Sequence, residues 1–332
     1  MSQTFAPLAE IHRGPCLESL HQGVVAVADA SGALLLTRGD PDFITFPRSS
    51  LKPFQAIALV ESGAIDALGL TEAHIALACA SHRAETFQST MVRDWLARLD
   101  LPESALVCGP DLPRGEVELK AAFAAGGRSR IFHNCSGKHC GFLTLSRRIG
   151  APTAGYDDPV HPAQRLFLEA FSELLGRDAA ALPRGTDGCG LPALALSVAD
   201  MARAAARFAA AEVASDSRRA AIRRIQAAIR ANPDHLSGQD QPTSRIIRAA
   251  EGRVLLKSGA EGFNLAFVPE RGLGIAIKMA DGGSRAKMAV LVAVLAELGL
   301  IARDAAPVLM DAVEDPIRDS NGRQAGAVRV TL

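Results

Sequence analysis

Both ends of the chain carry β-hairpin patterns, and this arrangement constrains the fold more than any other feature. Residues 23–38 hold two aliphatic runs joined by a turn at 29–32. Residues 262–283 repeat the pattern around a turn at 269–272, and a short apolar run at 253–257 precedes them. Hairpins at both ends predict that the N- and C-terminal strands share one antiparallel or mixed sheet.

The middle of the chain is predicted to be mostly helical. Apolar residues recur there at three- and four-residue spacing, and alanine is abundant. The alanine-rich stretch 202–215 favours a solvent-facing helix, and residues 285–300 favour a helix that lies on the sheet. The helices predicted between the two hairpins are 52–67, 85–99, 117–125, 139–148, 162–175 and 198–229.

These patterns predict a single α/β catalytic domain over residues 1–332. Its sheet comes from about 20–45 and about 250–300, and its helical region covers about 50–250. The hydrophobic fraction of 48% and the charged fraction of 22% are typical of a globular protein with a large core.

Charge and composition exclude several classes of partner. The 36 Lys+Arg balance 36 Asp+Glu, so we expect no general attraction to nucleic acid or to an anionic membrane. No apolar run reaches the roughly 18 residues that a membrane span needs. The N-terminal residues show neither a basic start nor an apolar stretch, so we expect no signal peptide and a cytoplasmic location. The six cysteines are then expected to be reduced thiols.

The segment PRSSLKP at 47–53 contains a Ser-x-x-Lys motif that runs into a helical pattern. At this spacing Ser49 and Lys52 can lie on the same face of one helical turn. A desolvated lysine amine has a depressed pKa and can accept the serine proton, which creates a nucleophile without histidine. The alternative is an N-capping serine followed by a surface lysine.

Two further segments place a serine or a lysine at the end of an apolar run. Ser81, in CASH at 79–82, either faces a cleft or caps the helix predicted near Glu85. Lys257 ends an apolar strand before the tight turn of KSGAEG at 257–262. It is either a catalytic lysine of the kind found in β-lactamase-like enzymes or a solvated hairpin lysine.

Two glycine-containing segments hold thiols. In NCSGKH at 134–139, Cys135 and His139 have the i,i+4 spacing that chelates zinc when the turn is helical. In GTDGCGLP at 185–192, Asp187 and Cys189 occupy a rigid turn that suits recognition of an ammonium group or a metal. Both segments are also explained as ordinary turns with packed thiols.

Taken together, these five segments resemble the bacterial asparaginase II family, the rhizobial-type (class 3) L-asparaginases. The resemblance extends from about Ala26 to about Leu300, and NCSGKH and GTDGCGLP are too long for chance agreement of both. It implies a fold similar to serine β-lactamases and glutaminases, a homodimer, and hydrolysis of L-asparagine to L-aspartate and ammonia.

The resemblance also implies catalytic residues. The two serine–lysine pairs of the family correspond to Ser49 with Lys52 and to Ser81 with Lys257 in this chain. In the implied reaction Ser49 attacks the carboxamide carbon while neutral Lys52 accepts its proton. Ser81 and Lys257 would relay a proton to the leaving ammonia and help to activate the deacylating water.

Zinc is the cofactor that the resemblance implies. The family's ligands correspond to Cys135, Lys138 and Cys189. Spacing alone gives a competing and more ordinary ligand set of Cys135, His139 and Cys189. Because a lysine ligand must be neutral, the family set requires the metal to lower the pKa of Lys138.

The substrate of such an enzyme is a zwitterion, which needs a cation and an anion for recognition. We expect Arg48 to meet the α-carboxylate, Asp187 to meet the α-ammonium, and His139 to be a further substrate-binding residue. Alternatives are a glutaminase, a β-lactamase-like serine acyl hydrolase, or a non-catalytic zinc-stabilised binding protein. One methylene is worth only about 1–3 kcal/mol in a pocket, so the sequence does not separate asparagine from glutamine.

Overall fold

The computed structural model describes residues 4–314 and 317–332, and this part of the chain divides into two units. Among the described residues, no helix is both long enough and apolar enough to cross a membrane. The single domain expected over 1–332 stays a prediction. The sheet unit consists of Met1–Ser50, Leu196–Ala210 and Gln241–Leu332, and the helical unit consists of Leu51–Ala195 and Ala211–Asp240.

The strands of the described chain are β1 Ala6–Arg13, β2 Cys16–Asp29, β3 Leu34–Arg38, β4 Ile44–Thr45, β5 Arg184–Thr186, β6 Pro192–Leu194, β7 Leu196–Ser197, β8 Leu255–Ser258, β9 Phe263–Val268, β10 Leu273–Met279 and β11 Ala327–Val330. Seven of them form one sheet in the order β11-β1-β2-β10-β9-β8, with β3 also paired to β2. Every pairing in this sheet is antiparallel, which confirms the predicted sheet of N- and C-terminal strands.

The two predicted hairpins form the centre of this sheet. Val25 of β2 pairs with Arg38 of β3, and Leu273 of β10 pairs with Val268 of β9. All seven residues of β10 are buried, so both faces of the sheet are covered at its centre. The first half of β2, together with β1 and β11, has no counterpart in the sequence prediction.

The helices in the same part of the chain are α1 Lys52–Glu61, α2 Ala64–Ala67, α3 Glu72–Ala78, α4 Thr86–Arg98, α5 Glu116–Ala124, α6 Ser136–Arg148, α7 Pro162–Leu175, α8 Val198–Ala210, α9 Asp216–Ala231, α10 Pro233–Ser237, α11 Pro242–Ala249, α12 Lys287–Glu297 and α13 Ala306–Val313. The helix predicted at 198–229 is therefore two helices. Of these, α8 belongs to the sheet unit and α9 to the helical unit.

The prediction of a solvent-facing helix at 202–215 is wrong for α8. Ala202, Ala206 and Phe208 are completely buried, and α8 packs against β2, β9 and β10. Gly274 of β10 lies beneath the helix, and a Cβ at this position would run into the backbone of Ala202 and Ala206. The alanines therefore serve close approach of helix to sheet, a role that helix propensity alone does not reveal.

Two buried helices organise the helical unit. In α1 every residue except Glu61 is buried, and in α6 all residues from Ser136 to Ser146 are buried. The rings of Phe54 in α1 and Phe171 in α7 lie 5.1 Å apart, which anchors α1 in the core. Each of these two helices begins at residues that the sequence analysis assigns to the site, so the core of the unit fixes their position.

Candidate active site

In the sheet unit, the turn that carries Ser49 lies against the end of β8. Arg48–Leu51 forms a 3-10 turn that leads directly into α1, and Ser49 is half-buried. Ser50 Oγ donates a 3.0 Å hydrogen bond to the carbonyl oxygen of Lys257. Gly259 permits this approach, because a Cβ there would lie 2.8 Å from Ser50 Oγ. The sheet unit therefore holds the Ser49 turn beside the strand end that carries Lys257.

Arg48, the residue expected to meet the substrate carboxylate, begins this turn with a left-handed backbone. Its φ is 54°, and its side chain is half-buried. For a residue other than glycine this conformation costs on the order of 1 kcal/mol, and such strain persists only where the surrounding structure imposes it. The packing around the turn, rather than local preference, thus sets the position of Arg48.

Lys257 is buried at the end of β8, with 2% of its surface exposed. Its Nζ donates a 2.6 Å hydrogen bond to the carbonyl oxygen of Ser258. A solvated hairpin lysine, the alternative considered from the sequence, is therefore wrong. A lysine is almost never buried to this degree unless its amine is paired, as it is here.

Lys52 begins α1 and is also buried, with 1% of its surface exposed. Its Nζ donates to Ser81 Oγ at 3.2 Å, to the carbonyl oxygen of Asn134 at 3.5 Å, and to the carbonyl oxygen of Ala80. The helical unit therefore brings Lys52 and Ser81 together. Ser81 does not cap α4, because Glu85 is the N-cap residue of that helix.

Each serine–lysine pair implied by the resemblance combines a residue of one unit with a residue of the other. Ser49 and Lys257 belong to the sheet unit, whereas Lys52 and Ser81 belong to the helical unit. Both implied pairings stay predictions. Within the units, the structure adds a direct contact of Lys52 with Ser81 and a contact of Ser50 with the backbone of Lys257.

The three residues expected to bind zinc converge in the helical unit. Cys135 is the N-cap residue of α6, Lys138 lies in its first turn, and Cys189 lies in the turn between β5 and β6. Lys138 Nζ donates a 3.0 Å hydrogen bond to Cys189 Sγ, and the thiols of Cys135 and Cys189 shift each other's pKa. All three residues are buried.

Charge is shared within this cluster. The hydrogen bond from Cys189 holds the pKa of Cys135 well below its ordinary value and raises the pKa of Cys189. Burial opposes the charged form of Lys138, but Cys189, Cys135 and Asp187 together raise the pKa of its amine. A thiolate on Cys135 beside an ammonium on Lys138 is the charge state that these shifts favour. Zinc binding would release the lysine proton, because metal ligands bind in their deprotonated form.

The chemistry of this donor set fits zinc. Thiolate sulfur and nitrogen are the donors that zinc prefers, and two sulfurs and one nitrogen meet here. Within residues 4–314 and 317–332, no group of three or more His, Cys, Asp or Glu side chains is suited to a metal. A zinc site at this position therefore depends on Lys138 as the third protein ligand.

His139 is completely buried in α6, beside this cluster. Its Nδ1 lies 2.7 Å from the hydroxyl of Tyr156, whereas its Nε2 is buried without a hydrogen-bond partner in the described chain. Burial and the neighbouring Lys138 hold the pKa of His139 well below its ordinary value, so the ring is neutral. Lys138 Nζ, rather than the ring of His139, contacts Cys189, and both ligand sets stay predictions.

Asp187 occupies the same hairpin turn as Cys189 and is half-buried. The amide of Gly188 donates to its Oδ1 at 2.7 Å, and the amide of Gly190 donates to its carbonyl oxygen at 2.9 Å. Its negative charge contributes to the raised pKa of Lys138. The turn thus presents a carboxylate next to the thiol cluster.

A buried contact that the sequence does not predict joins His82 and Ser136. Both side chains are completely buried, with His82 Nε2 2.8 Å from Ser136 Oγ. Ser136 Oγ donates to the carbonyl oxygen of Ile131, and the amide of Ala84 donates to His82 Nδ1. Burial lowers the pKa of His82 to about 3, so the ring is neutral and carries its proton on Nε2.

This contact ties the CASH segment to the NCSGKH segment. The amide of His82 also donates to the carbonyl oxygen of Asn134 at 3.2 Å, and Lys52 Nζ donates to the same oxygen. Both residues of the pair lie inside the motifs that the sequence analysis singled out. Their contact spans 54 positions of the chain, and sequence spacing gives no signal for it.

Comparison with known proteins assigns the family. The family model for L-asparaginase II matches residues 9–330, nearly the whole chain. The chain belongs to the L-asparaginase II family. The family suggested by the motifs is confirmed. The search of curated proteins gives no match.

Solved structures show distant similarity. The native form of Mglu is 15% identical with a TM-score of 0.47, and the match covers 83% of this chain and 63% of that chain. Mglu in its L-glutamate binding form is 17% identical with a TM-score of 0.48, over 85% of this chain and 60% of that one. A β-lactamase from Mycobacterium bovis is 17% identical with a TM-score of 0.45, over 83% and 94%. With TM-scores this low, these similarities carry no argument about the activity.

Proposed function

We propose that this member of the L-asparaginase II family hydrolyses the side-chain amide of L-asparagine to L-aspartate and ammonia by serine–lysine catalysis. The observation that carries the proposal is the buried amine of Lys52, 3.2 Å from Ser81 Oγ, in a chain of this family. A buried lysine amine that contacts a hydroxyl can move protons to and from serine oxygens.

In the first step Ser49 Oγ attacks the carboxamide carbon and its proton passes to Lys52. The C–N bond breaks when the tetrahedral intermediate collapses, and the nitrogen leaves as ammonia after it receives a proton. The contact of Lys52 with Ser81 gives that proton a route, from the lysine amine through Ser81 Oγ to the leaving nitrogen. Backbone N–H groups at the start of α1 would stabilise the oxyanion.

In the second step water attacks the acyl group on Ser49 and releases L-aspartate. We assign Ser81 and Lys257 to the activation of this water, as the resemblance implies. The Lys257 amine is held in one orientation by the carbonyl oxygen of Ser258, which suits a group that must act on one defined atom.

Recognition of the zwitterionic substrate requires charges of both signs. We assign Arg48 to the α-carboxylate and Asp187 to the α-ammonium. His139 is a proposed substrate contact through its Nε2, because this buried nitrogen has no partner among the described residues. An unpaired buried polar atom costs free energy, and a ligand that hydrogen-bonds to it recovers that cost.

Cys135, Lys138 and Cys189 would hold zinc beside Asp187. When bound, the metal would orient polar groups of the substrate rather than activate water, because the serine and lysine residues already supply a nucleophile and a base. We also propose that the protein acts as a homodimer in the cytoplasm, as the family resemblance implies. Analytical ultracentrifugation of the purified chain tests the dimer.

The test is ammonia release from asparagine and glutamine, measured in parallel with the purified chain. We expect asparagine to be the better substrate. Turnover of glutamine alone would show that the protein is a glutaminase rather than an asparaginase. Quenching the reaction and digesting the protein should yield the Ser49 peptide with one added aspartyl group. A protein that binds asparagine and releases no ammonia would be a binding protein, and the proposal would be wrong.

A further inference from the structure

Lys287 is a further buried lysine, and the proposed reaction makes no use of it. It begins α12 in the sheet unit, and 8% of its surface is exposed. Its Nζ donates to Ser258 Oγ at 2.8 Å and to the carbonyl oxygen of Gly259 at 3.2 Å. The amine therefore contacts the turn that follows β8.

These contacts fix the group that orients Lys257. The carbonyl oxygen of Ser258, which accepts the hydrogen bond from Lys257 Nζ, belongs to the peptide between Ser258 and Gly259. Lys287 Nζ bonds to the Ser258 side chain, which precedes this peptide, and to the Gly259 carbonyl oxygen, which follows it. The plane of this peptide is set by its own amide, because Gly259 N–H donates a 2.8 Å hydrogen bond to the carbonyl oxygen of Phe263. Lys287 anchors the residues at the two ends of the peptide, so the acceptor of Lys257 shifts if that anchor is lost.

Lys287 is itself held in place by the sheet unit. Asn264, which pairs with Ser258 across β8 and β9, donates from Nδ2 to the carbonyl oxygen of Lys287 at 3.2 Å. The Glu314 carboxylate accepts from the amides of Met288 and Ala289 at the start of α12. The helix start and the strand pair are thus connected independently of the lysine side chain.

The protein environment destabilises the charged form of Lys287. Burial lowers the pKa of Lys287 to about 8, Lys278 of β10 lowers it further, and only Glu314 opposes the shift. A methionine would fill a similar volume without this cost. The amine is nevertheless held by two hydrogen bonds to the turn after β8.

We propose that Lys287 is a positioning residue for Lys257, which it orients through the Ser258–Gly259 peptide. The inference rests on the proposed function, in which Lys257 acts in the chemical step. Lys287 does not touch substrate, so its loss should lower kcat and leave KM for asparagine nearly unchanged.

The experiment compares Lys287→Met, Ser258→Ala and Lys257→Met with the wild type in steady-state asparagine hydrolysis. Lys287→Met should lower kcat about tenfold or more, since small misplacements of catalytic groups have effects of this size, while KM changes less than about twofold. Ser258→Ala should have a smaller effect in the same direction, because the bond to Gly259 remains. Lys278→Met is the matched control: this buried lysine of β10 donates to the carbonyl of Glu261, and kcat should stay close to wild type.

The outcomes separate this proposal from the proposed function. If Lys257→Met retains the wild-type kcat, the proposed role of Lys257 is wrong and the inference falls with it. If Lys257→Met is inactive while Lys287→Met retains kcat, only the positioning role is wrong. Equal losses in Lys287→Met and Lys278→Met, or a rise in KM that matches the loss in kcat, would also overturn it. Urea unfolding of each variant shows whether the folded state persists.

Discussion

Substitution of Lys287 by Met should change how the stability of the protein depends on pH. The pKa of Lys287 is lowered from 10.5 to about 8, first by burial. Between these two values the unfolded chain binds a proton that the folded protein has released. Unfolding therefore becomes less favourable as the pH rises through this window, and the folded state gains stability.

The size of the effect follows from the shift. A difference of about 2.5 pKa units corresponds to about 3 kcal/mol, and most of it is released between about pH 7 and pH 10. Lys287→Met has no group that titrates at this position. The free energy of unfolding of the wild type, minus that of the variant, should therefore rise by about 2–3 kcal/mol over this range. The absolute difference at one pH also contains the lost hydrogen bonds, so the slope is the informative quantity.

Urea unfolding at several pH values, followed by circular dichroism, measures this slope. The comparison with the variant cancels the groups that titrate in the same way in both proteins. Parallel pH profiles for wild type and variant would show that Lys287 is not desolvated in the folded protein. A wild type that loses stability relative to the variant as pH rises would reverse the sign and refute the reasoning.

Other predictions concern the site itself. Ser49→Ala should abolish ammonia release and keep the zinc content, and retention of a tenth of the activity would instead point to Ser81 as the nucleophile. Cys189→Ala should lower the bound zinc found by elemental analysis. Cys16→Ala, at an exposed thiol outside the cluster, should not lower it. Loss of zinc should raise KM for asparagine more than it lowers kcat. Lys52→Arg should be nearly inactive in the same ammonia assay, because a guanidinium stays charged and cannot accept the serine proton. Wild-type turnover by this variant would exclude a lysine base at that position.

Much of the fold could be predicted from local patterns. The central hairpins of the sheet follow from aliphatic runs broken by turn residues, a signal that depends only on neighbours in the chain. The outer strands β1 and β11 lack that signal, because part of their surface is exposed and their stability depends on pairing with each other. Strand pairing over such a sequence distance leaves no periodic pattern.

In the site too, the motifs could be predicted from the sequence, whereas the contacts between them could not. The motifs contain Lys52, Ser81, Cys135, Lys138 and Cys189, since side chains that act together lie in short segments rich in glycine and serine. The contacts of Lys52 with Ser81 and of Lys138 with Cys189 join residues 29 and 51 positions apart. Which serine a lysine meets is decided by how the segments pack.

The sequence by itself determined the family, the antiparallel sheet at the two ends and the segments that hold the chemistry, because hydrophobic period and motif identity are local properties of the chain. Only the tertiary structure decided that the alanines of α8 are core and that Lys287 is a buried amine. In the sequence, Lys287 looks like an ordinary polar residue at a helix start. Its partners Ser258 and Gly259 lie 29 and 28 positions earlier in the chain, at the end of β8. Contacts at that distance exist only once the sheet has formed.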